Sequence, residues 1–132
     1  MNPKIMNVLL WIAQVLVAVI FFFGFYAKIV QPAEETVKMM PWVLEQPGLA
    51  MFTGIVDLLG AVGLILPVLL RIKPKLTTYA AYGGILLMIA GIIFHVSRGE
   101  AAVIGMNFFI IALLAFIIWG RTKKVPVLQR HN

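Results

Sequence analysis

Four long apolar runs occupy most of this chain of 132 residues. They cover residues 5–30, 49–70, 76–97 and 101–119. Each run is long enough to cross a bilayer, because a transmembrane helix needs about 20 mostly apolar residues. Hydrophobic residues make up 62% of the sequence, more than a soluble domain of this length can bury. The sequence therefore predicts one all-α membrane domain over residues 1–132, folded as a four-helix transmembrane bundle.

The basic residues predict the orientation of this bundle. With four crossings, Lys4, the turn at residues 71–75 and the segment after residue 119 lie on the same side of the membrane. Most of the 11 Lys and Arg residues are found there. By the positive-inside rule, both termini are expected in the cytoplasm. The protein is expected to be a multi-pass protein of the cell membrane. This distribution accounts for the positive charge, so the expected partner is the lipid bilayer and not a nucleic acid.

The sequence contains no cysteine, so it has no disulfide, no cysteine-ligated iron–sulfur cluster and no thiol catalysis. We find no phosphate-binding glycine loop, nucleophile elbow or metalloprotease motif. His95 is the one histidine within the apolar runs, and His131 lies on the tail, so paired histidine ligation of haem is not expected. No ligand spacing predicts a metal site. Whether the chain is an enzyme stays open.

The loop between the first two runs, residues 32–48, is the longest connection and is predicted to face outward. It carries Trp42 and other apolar residues between Pro41 and Pro47. This pattern predicts a short segment in the membrane interface, with Trp42 at the level of the headgroups. Closure of the segment over an outer cavity is the alternative. Pro67 is expected to end the second helix.

Polar side chains in or beside the apolar runs are the candidate functional residues: Gln14, Lys28, Asp57, His95, Glu100 and Asn107. Burial in lipid costs free energy, so each needs a partner or a purpose. Small residues share their helix faces, which is typical of helix–helix contacts. Counted along the helices, all but Gln14 lie near the outer end, and Gln14 lies nearer the middle. We therefore predict a ligand-binding or proton-relay site in the outer half of the bundle.

Structural roles for these residues remain open as alternatives. Lys28 alone can extend its ammonium to the headgroups. A Lys28–Asp57 pair can simply fix the register of two helices, and a His95 partner for Asp57 is equally possible. Asn107 and Gln14 are the residue types that often join helices by hydrogen bonds.

A small lipophilic molecule with carbonyl oxygens, such as a quinone, suits the predicted site. Its oxygens would meet Lys28 or His95, and its ring would rest on Phe21, Phe25 or Met88. Histidine titrates near neutrality and is suited to relay a proton between the aqueous mouth and a buried carboxylate.

Four segments, in order and spacing, resemble the DoxX-like family of the DoxD/DoxX group. They are residues 22–28 (FFGFYAK), 40–43 (MPWV), 54–67 (GIVDLLGAVGLILP) and 95–100 (HVSRGE). The similarity extends over residues 11–121. One departure is Asp57, which stands where the family pattern usually has Glu.

The resemblance implies a small four-helix protein of the bacterial inner membrane. The group takes its name from subunits of a thiosulfate:quinone oxidoreductase, which implies a quinone-linked or redox-stress component. Distant relatives look like assembly or cargo factors, so a non-catalytic scaffold for partner membrane proteins is the alternative. A partner redox protein and a homo-oligomer also stay open. A small transporter is disfavoured, because four short helices scarcely form an alternating-access pair without dimerisation.

Overall fold

The computed structural model describes residues 2–130, so His131 lies outside the described residues. The helices are α1 (Pro3–Phe25), α2 (Ala33–Met39), α3 (Trp42–Glu45), α4 (Pro47–Leu70), α5 (Lys75–Ser97) and α6 (Gly105–Trp119). Within the described part of the chain there is no strand, and 84% of the protein is helical. Four helical stretches, based on α1, α4, α5 and α6, are long and apolar enough to span a membrane. The predicted four-helix transmembrane bundle is confirmed.

Two of these stretches end in π-helical turns, in which a backbone N–H bonds to the carbonyl five residues earlier. The first turn, Tyr26–Val30, continues α1, and the Gln31 N–H donates to the Tyr26 carbonyl at 2.8 Å. The second turn, Gly120–Lys124, continues α6, and the Val125 N–H donates to the Gly120 carbonyl at 2.7 Å. Both turns extend their helices beyond the regular α-helical part.

Pro67 does not end α4, so that expectation was wrong. The helix continues to Leu70 and stops at Arg71, which adopts a left-handed conformation with φ 55°. A proline inside a helix deprives the carbonyl four residues earlier of its donor. That carbonyl belongs to Gly63, and the Thr77 hydroxyl of α5 donates to it at 2.8 Å. A neighbouring helix thus replaces the lost hydrogen bond, as is common in membranes.

The interior of the bundle is apolar. Helix α1 packs against α4 and α6, and α5 packs against α4 and α6. The core consists of small and branched side chains with one aromatic ring: Ala13, Val17, Ala18, Phe21, Ala61, Leu64, Ala81, Ile110, Leu114 and Ile117. The outward faces are also apolar, which suits a lipid environment. The few polar side chains that the bundle encloses therefore stand out against this background.

The long loop folds into α2 and α3, and α3 packs against the bundle. Trp42 is 8% exposed, and its ring lies edge-on to Phe94 of α5 at 5.3 Å between centroids. The indole therefore points into the bundle, and its level relative to the headgroups stays a prediction. Edge-to-face contacts between aromatic rings are favourable, and this one holds α3 against α5.

Candidate ligand site at the loop end

We call the end of the bundle that carries residues 31–46 and 98–104 the loop end. The opposite end, which carries residues 2–7, 71–75 and 120–130, is the terminal end.

A buried ion pair lies at the loop end between α1 and α4. Lys28, in the π-helical turn, donates from Nζ to Asp57 Oδ2 at 2.9 Å. The two side chains are only 12% and 5% exposed. Gly24 allows the approach, since a Cβ at that position would lie 2.5 Å from Asp57 Oδ2. The partner of Asp57 is therefore Lys28, and Lys28 is turned inward rather than extended to the headgroups.

The ammonium of Lys28 also faces an aromatic ring. Nζ lies 5.7 Å from the centroid of Trp42, close enough for a cation–π interaction. An ammonium has three N–H donors, and Asp57 takes one of them. Lys28 thus joins α1, α4 and the folded loop at one point.

A second group of charged residues lies at the loop end, where α5 ends. We call this region the mouth of the cavity. His95 Nδ1 lies 3.0 Å from Glu100 Oε1, and Arg98 Nε donates to the same oxygen at 3.2 Å. Arg98 also forms an ion pair with Glu45 of α3. The group therefore ties the loop to the turn between α5 and α6.

The contacts at the mouth shift the pKa of two groups that lie outside the spans. The pKa of the Glu100 carboxyl is lowered, first by its hydrogen bond with His95 and then by the charge of Arg98. The pKa of Arg98 is raised, chiefly by its hydrogen bond to Glu45. Both groups therefore stay charged around neutral pH.

Asn107 of α6 lies deeper, opposite α5. Its Nδ2 donates to the Met88 carbonyl at 3.2 Å. Gly91 makes room for it, because a Cβ there would lie 2.8 Å from Asn107 Nδ2. The amide joins α5 and α6, as the structural alternative expected.

These polar groups surround one cavity of about 510 Å³. Five of the six predicted site residues line it: Lys28, Asp57, His95, Glu100 and Asn107. Of the rings and side chains expected to hold a ligand, Met88 lines the cavity, whereas Phe21 and Phe25 do not. Phe21 instead belongs to the core and is 3% exposed. The apolar wall comes from side chains that were not predicted as contacts, among them Met39, Met40, Trp42 and Phe94.

Gln14 lies elsewhere, and its assignment to this cluster was wrong. Its Nε2 donates to the Leu64 carbonyl at 2.6 Å, and its Oε1 accepts from Arg121 Nε at 2.8 Å. It is separated from Lys28 by 14 residues, or about 21 Å along a helix. Gln14 therefore belongs to the terminal half of the bundle.

The described part of the chain contains no cluster of side chains that could bind a metal ion. Within residues 2–130, no three His, Asp or Glu side chains are close enough together to hold a metal ion. The chemistry available around the cavity is hydrogen bonding, charge and proton transfer.

The fold and this site together define a class: a multi-pass, four-helix membrane protein with a charged cavity near one end of its spans. The sequence profile of the DoxX-like family matches residues 12–117. The chain belongs to the DoxX-like family. Comparisons with curated proteins and with solved structures gave no significant match.

Proposed function

We propose that the protein binds a small lipophilic ligand of the quinone type in the cavity at the loop end, as a quinone-linked or redox-stress component of the membrane. The observation that carries the proposal is the lining of this cavity. A buried ion pair, a histidine–carboxylate pair and an amide face the same space, and the rest of the wall is largely apolar and aromatic.

The size and composition of the cavity support this class of ligand. Its volume of about 510 Å³ falls within the range of about 300–1,000 Å³ that is usual for small-molecule sites. A flat, apolar ring suits contacts with Trp42, Phe94 and Met40, which line the wall. The ligand would reach the cavity from the lipid, where a quinone dissolves.

The polar groups suit the carbonyl oxygens of such a ring. Lys28 has two N–H donors beyond the one directed to Asp57, and a carbonyl oxygen accepts from such donors. His95, at the mouth, is within hydrogen-bond distance of Glu100 and can present its other ring nitrogen to a ligand. One carbonyl would then bond to Lys28 and the other to His95.

We assign proton exchange with the ligand to the His95–Glu100 pair at the mouth. Reduction of a quinone to a quinol takes up two electrons and two protons. The His95–Glu100 pair lies near the aqueous side and can pass protons to the ligand, while the electrons come from a separate redox protein.

Quenching of tryptophan fluorescence tests this proposal directly, because Trp42 lines the cavity. In a background in which Trp11 and Trp119 are replaced by Phe, the signal comes from Trp42 alone. A soluble short-chain quinone should quench it saturably. The double variant Asp57→Asn, His95→Phe should bind at least about tenfold more weakly. It loses the hydrogen bond from His95 to the ligand, and Lys28 loses the carboxylate that holds its ammonium beside the cavity.

The matched control is Lys38→Gln, which removes an exposed cation of the same loop that does not line the cavity. It should leave the quenching curve unchanged. Quenching that rises linearly with quinone concentration, or equal affinity in the double variant, would contradict the proposal.

The alternative function, a scaffold for partner membrane proteins, makes a different prediction for the loop. Leu44 and Met39 are exposed at 64% and 52%, whereas Trp42 is buried. If the loop docks a partner, Leu44→Ser should weaken capture of that partner and leave quenching by quinone unchanged.

A further inference from the structure

A second charged site lies at the terminal end, around Arg121. This residue is only 6% exposed, although it follows the last apolar run and belongs to the second π-helical turn. Its Nε donates to Gln14 Oε1, and its Nη1 donates to Asn7 Oδ1 at 2.8 Å and to the Val125 carbonyl at 3.2 Å. All of these acceptors are neutral.

The guanidinium is incompletely satisfied. Nη2 is buried and has no hydrogen-bond partner among residues 2–130. A buried charge normally requires an opposite charge nearby as well as hydrogen bonds. The chain has no acidic side chain to offer at this end, because all five lie in the loop, at the mouth or beside Lys28: Glu34, Glu35, Glu45, Asp57 and Glu100.

Arg121 also lines a cavity of about 420 Å³ at the terminal end. Lys75, Thr78 and Thr122 contribute polar side chains to it, and Tyr79 and Tyr82 contribute amphipathic ones. The tail crosses this cavity: Pro126 and Val127 line it. The Arg130 N–H then donates to the Arg71 carbonyl at 2.8 Å, which fastens the tail to the turn between α4 and α5.

We propose that this cavity binds a phosphate-bearing anion, and specifically the headgroup of an anionic phospholipid. The guanidinium of Arg121 and the ammonium of Lys75 supply the charge, and the hydroxyl of Thr78 supplies a further donor. The phosphate oxygens provide the countercharge that no side chain supplies at this end.

A lipid fits better than a free anion for two reasons. The wall includes Val68 and the rings of Tyr79 and Tyr82, which suit glycerol and the first acyl carbons. Tyr79 and Tyr82 are also 63% and 53% exposed on the outer face of α5, where acyl chains would continue into the bilayer. Basic pockets between membrane helices are known to take anionic lipid headgroups.

The test uses the full chain, purified in a neutral detergent, with native mass spectrometry of lipid binding. Phosphatidylglycerol should be retained by each chain with an affinity at least about tenfold higher than that of phosphatidylcholine with the same acyl chains. Arg121→Gln should abolish this preference. Lys123→Gln, which removes the same charge from an exposed neighbour that does not line the cavity, should keep it.

A second variant covers the possibility that Arg121→Gln does not fold. Lys75 is exposed on the rim of the same cavity, so Lys75→Gln should reduce the preference several-fold without affecting the packing. Equal retention of both lipids by the unmodified protein, or an unchanged preference in Lys75→Gln and in any folded Arg121→Gln, would overturn the proposal.

An experiment with inorganic phosphate distinguishes a lipid headgroup from a free phosphate as the bound anion. If phosphate alone, at millimolar concentration, raises the melting temperature and Lys75→Gln reduces this rise, while phosphatidylglycerol shows no preference, the lipid assignment is wrong and a free phosphate is the occupant. If phosphatidylglycerol binds and phosphate does not displace it, the lipid assignment is supported.

Discussion

The Lys28–Asp57 pair offers the sharpest test of the structure, because its strength can be bounded from its geometry. At the observed 2.9 Å between Nζ and Oδ2, two unit charges attract by about 1.4 kcal/mol in water and by about 6 kcal/mol at an effective dielectric constant of 20. Exposures of 12% and 5% place the pair away from bulk water. We therefore expect a coupling energy between these two limits.

A double-mutant cycle measures this coupling. Lys28→Met and Asp57→Leu each leave one buried charge without its partner, which typically costs about 3–5 kcal/mol in the free energy of unfolding. The double variant leaves no unpaired charge, so it should lose clearly less than the sum of the two single variants. The difference should be at least about 1.4 kcal/mol, the limit for water.

Equilibrium unfolding in mixed micelles, followed by the circular dichroism of the helices, supplies the free energies. The chain also contains a matched control, the Lys38–Glu35 pair, which has an N–O distance of 3.4 Å but exposures of 69% and 58%. Its coupling should stay below about 1 kcal/mol, as is usual for surface pairs. If the coupling of Lys28 and Asp57 is no larger than that of the control, the burial argument is wrong.

Two further predictions concern the mouth and the helix contacts. Glu100 has a lowered pKa, so the stability that it contributes is present above its ordinary pKa and is lost as the pH falls through its lower value in the folded protein. An acid titration of Trp42 fluorescence should therefore show a transition at a pH below that ordinary pKa, which is about 4.3. Glu100→Gln should remove the transition, and its persistence in that variant would assign it to another group. Gly63→Ala should lower the free energy of unfolding by about 1–3 kcal/mol, because the added Cβ would lie 2.8 Å from the Cβ of Ala80 and push α4 and α5 apart. Gly83→Ala, where nothing lies within 4 Å of the added Cβ, should not lower the free energy of unfolding in the same denaturation assay. Equal losses in the two variants would refute the packing argument.

The sequence predicted the four spans and most of the polar residues around the loop-end cavity for a simple reason. Position along a helix translates directly into depth, at about 1.5 Å per residue. Lys28, Asp57, His95 and Asn107 each lie in the half of their helical stretch that is nearer the loop end, so all four belong to the same half of the bundle. The same count along the helix could also have excluded Gln14 from this group, since Gln14 lies about four turns away from Lys28.

The direction of side chains outside the four long helices could not be predicted in the same way. Trp42 begins the four-residue helix α3, which is too short to show a periodic pattern, and its contact with Phe94 depends on how the segment between α1 and α4 folds back. Arg121 had the pattern of an ordinary charged flank after an apolar run. Its burial depends on the π-helical turn that extends the last span and on acceptors from the distant residues Asn7 and Gln14.

The two π-helical turns have a consequence for how this chain tolerates changes of length. Lys28 and Arg121, one cation from each cavity, each lie within one of these turns. A turn closed over five residues holds one residue more than a regular turn does. Deleting a single residue just before either cation would rotate its side chain by about 100° around the helix axis, away from its present contacts, with the composition of the segment almost unchanged. If a sequence alignment places a gap at one of these positions, it would therefore match two residues of the same type whose side chains point in different directions.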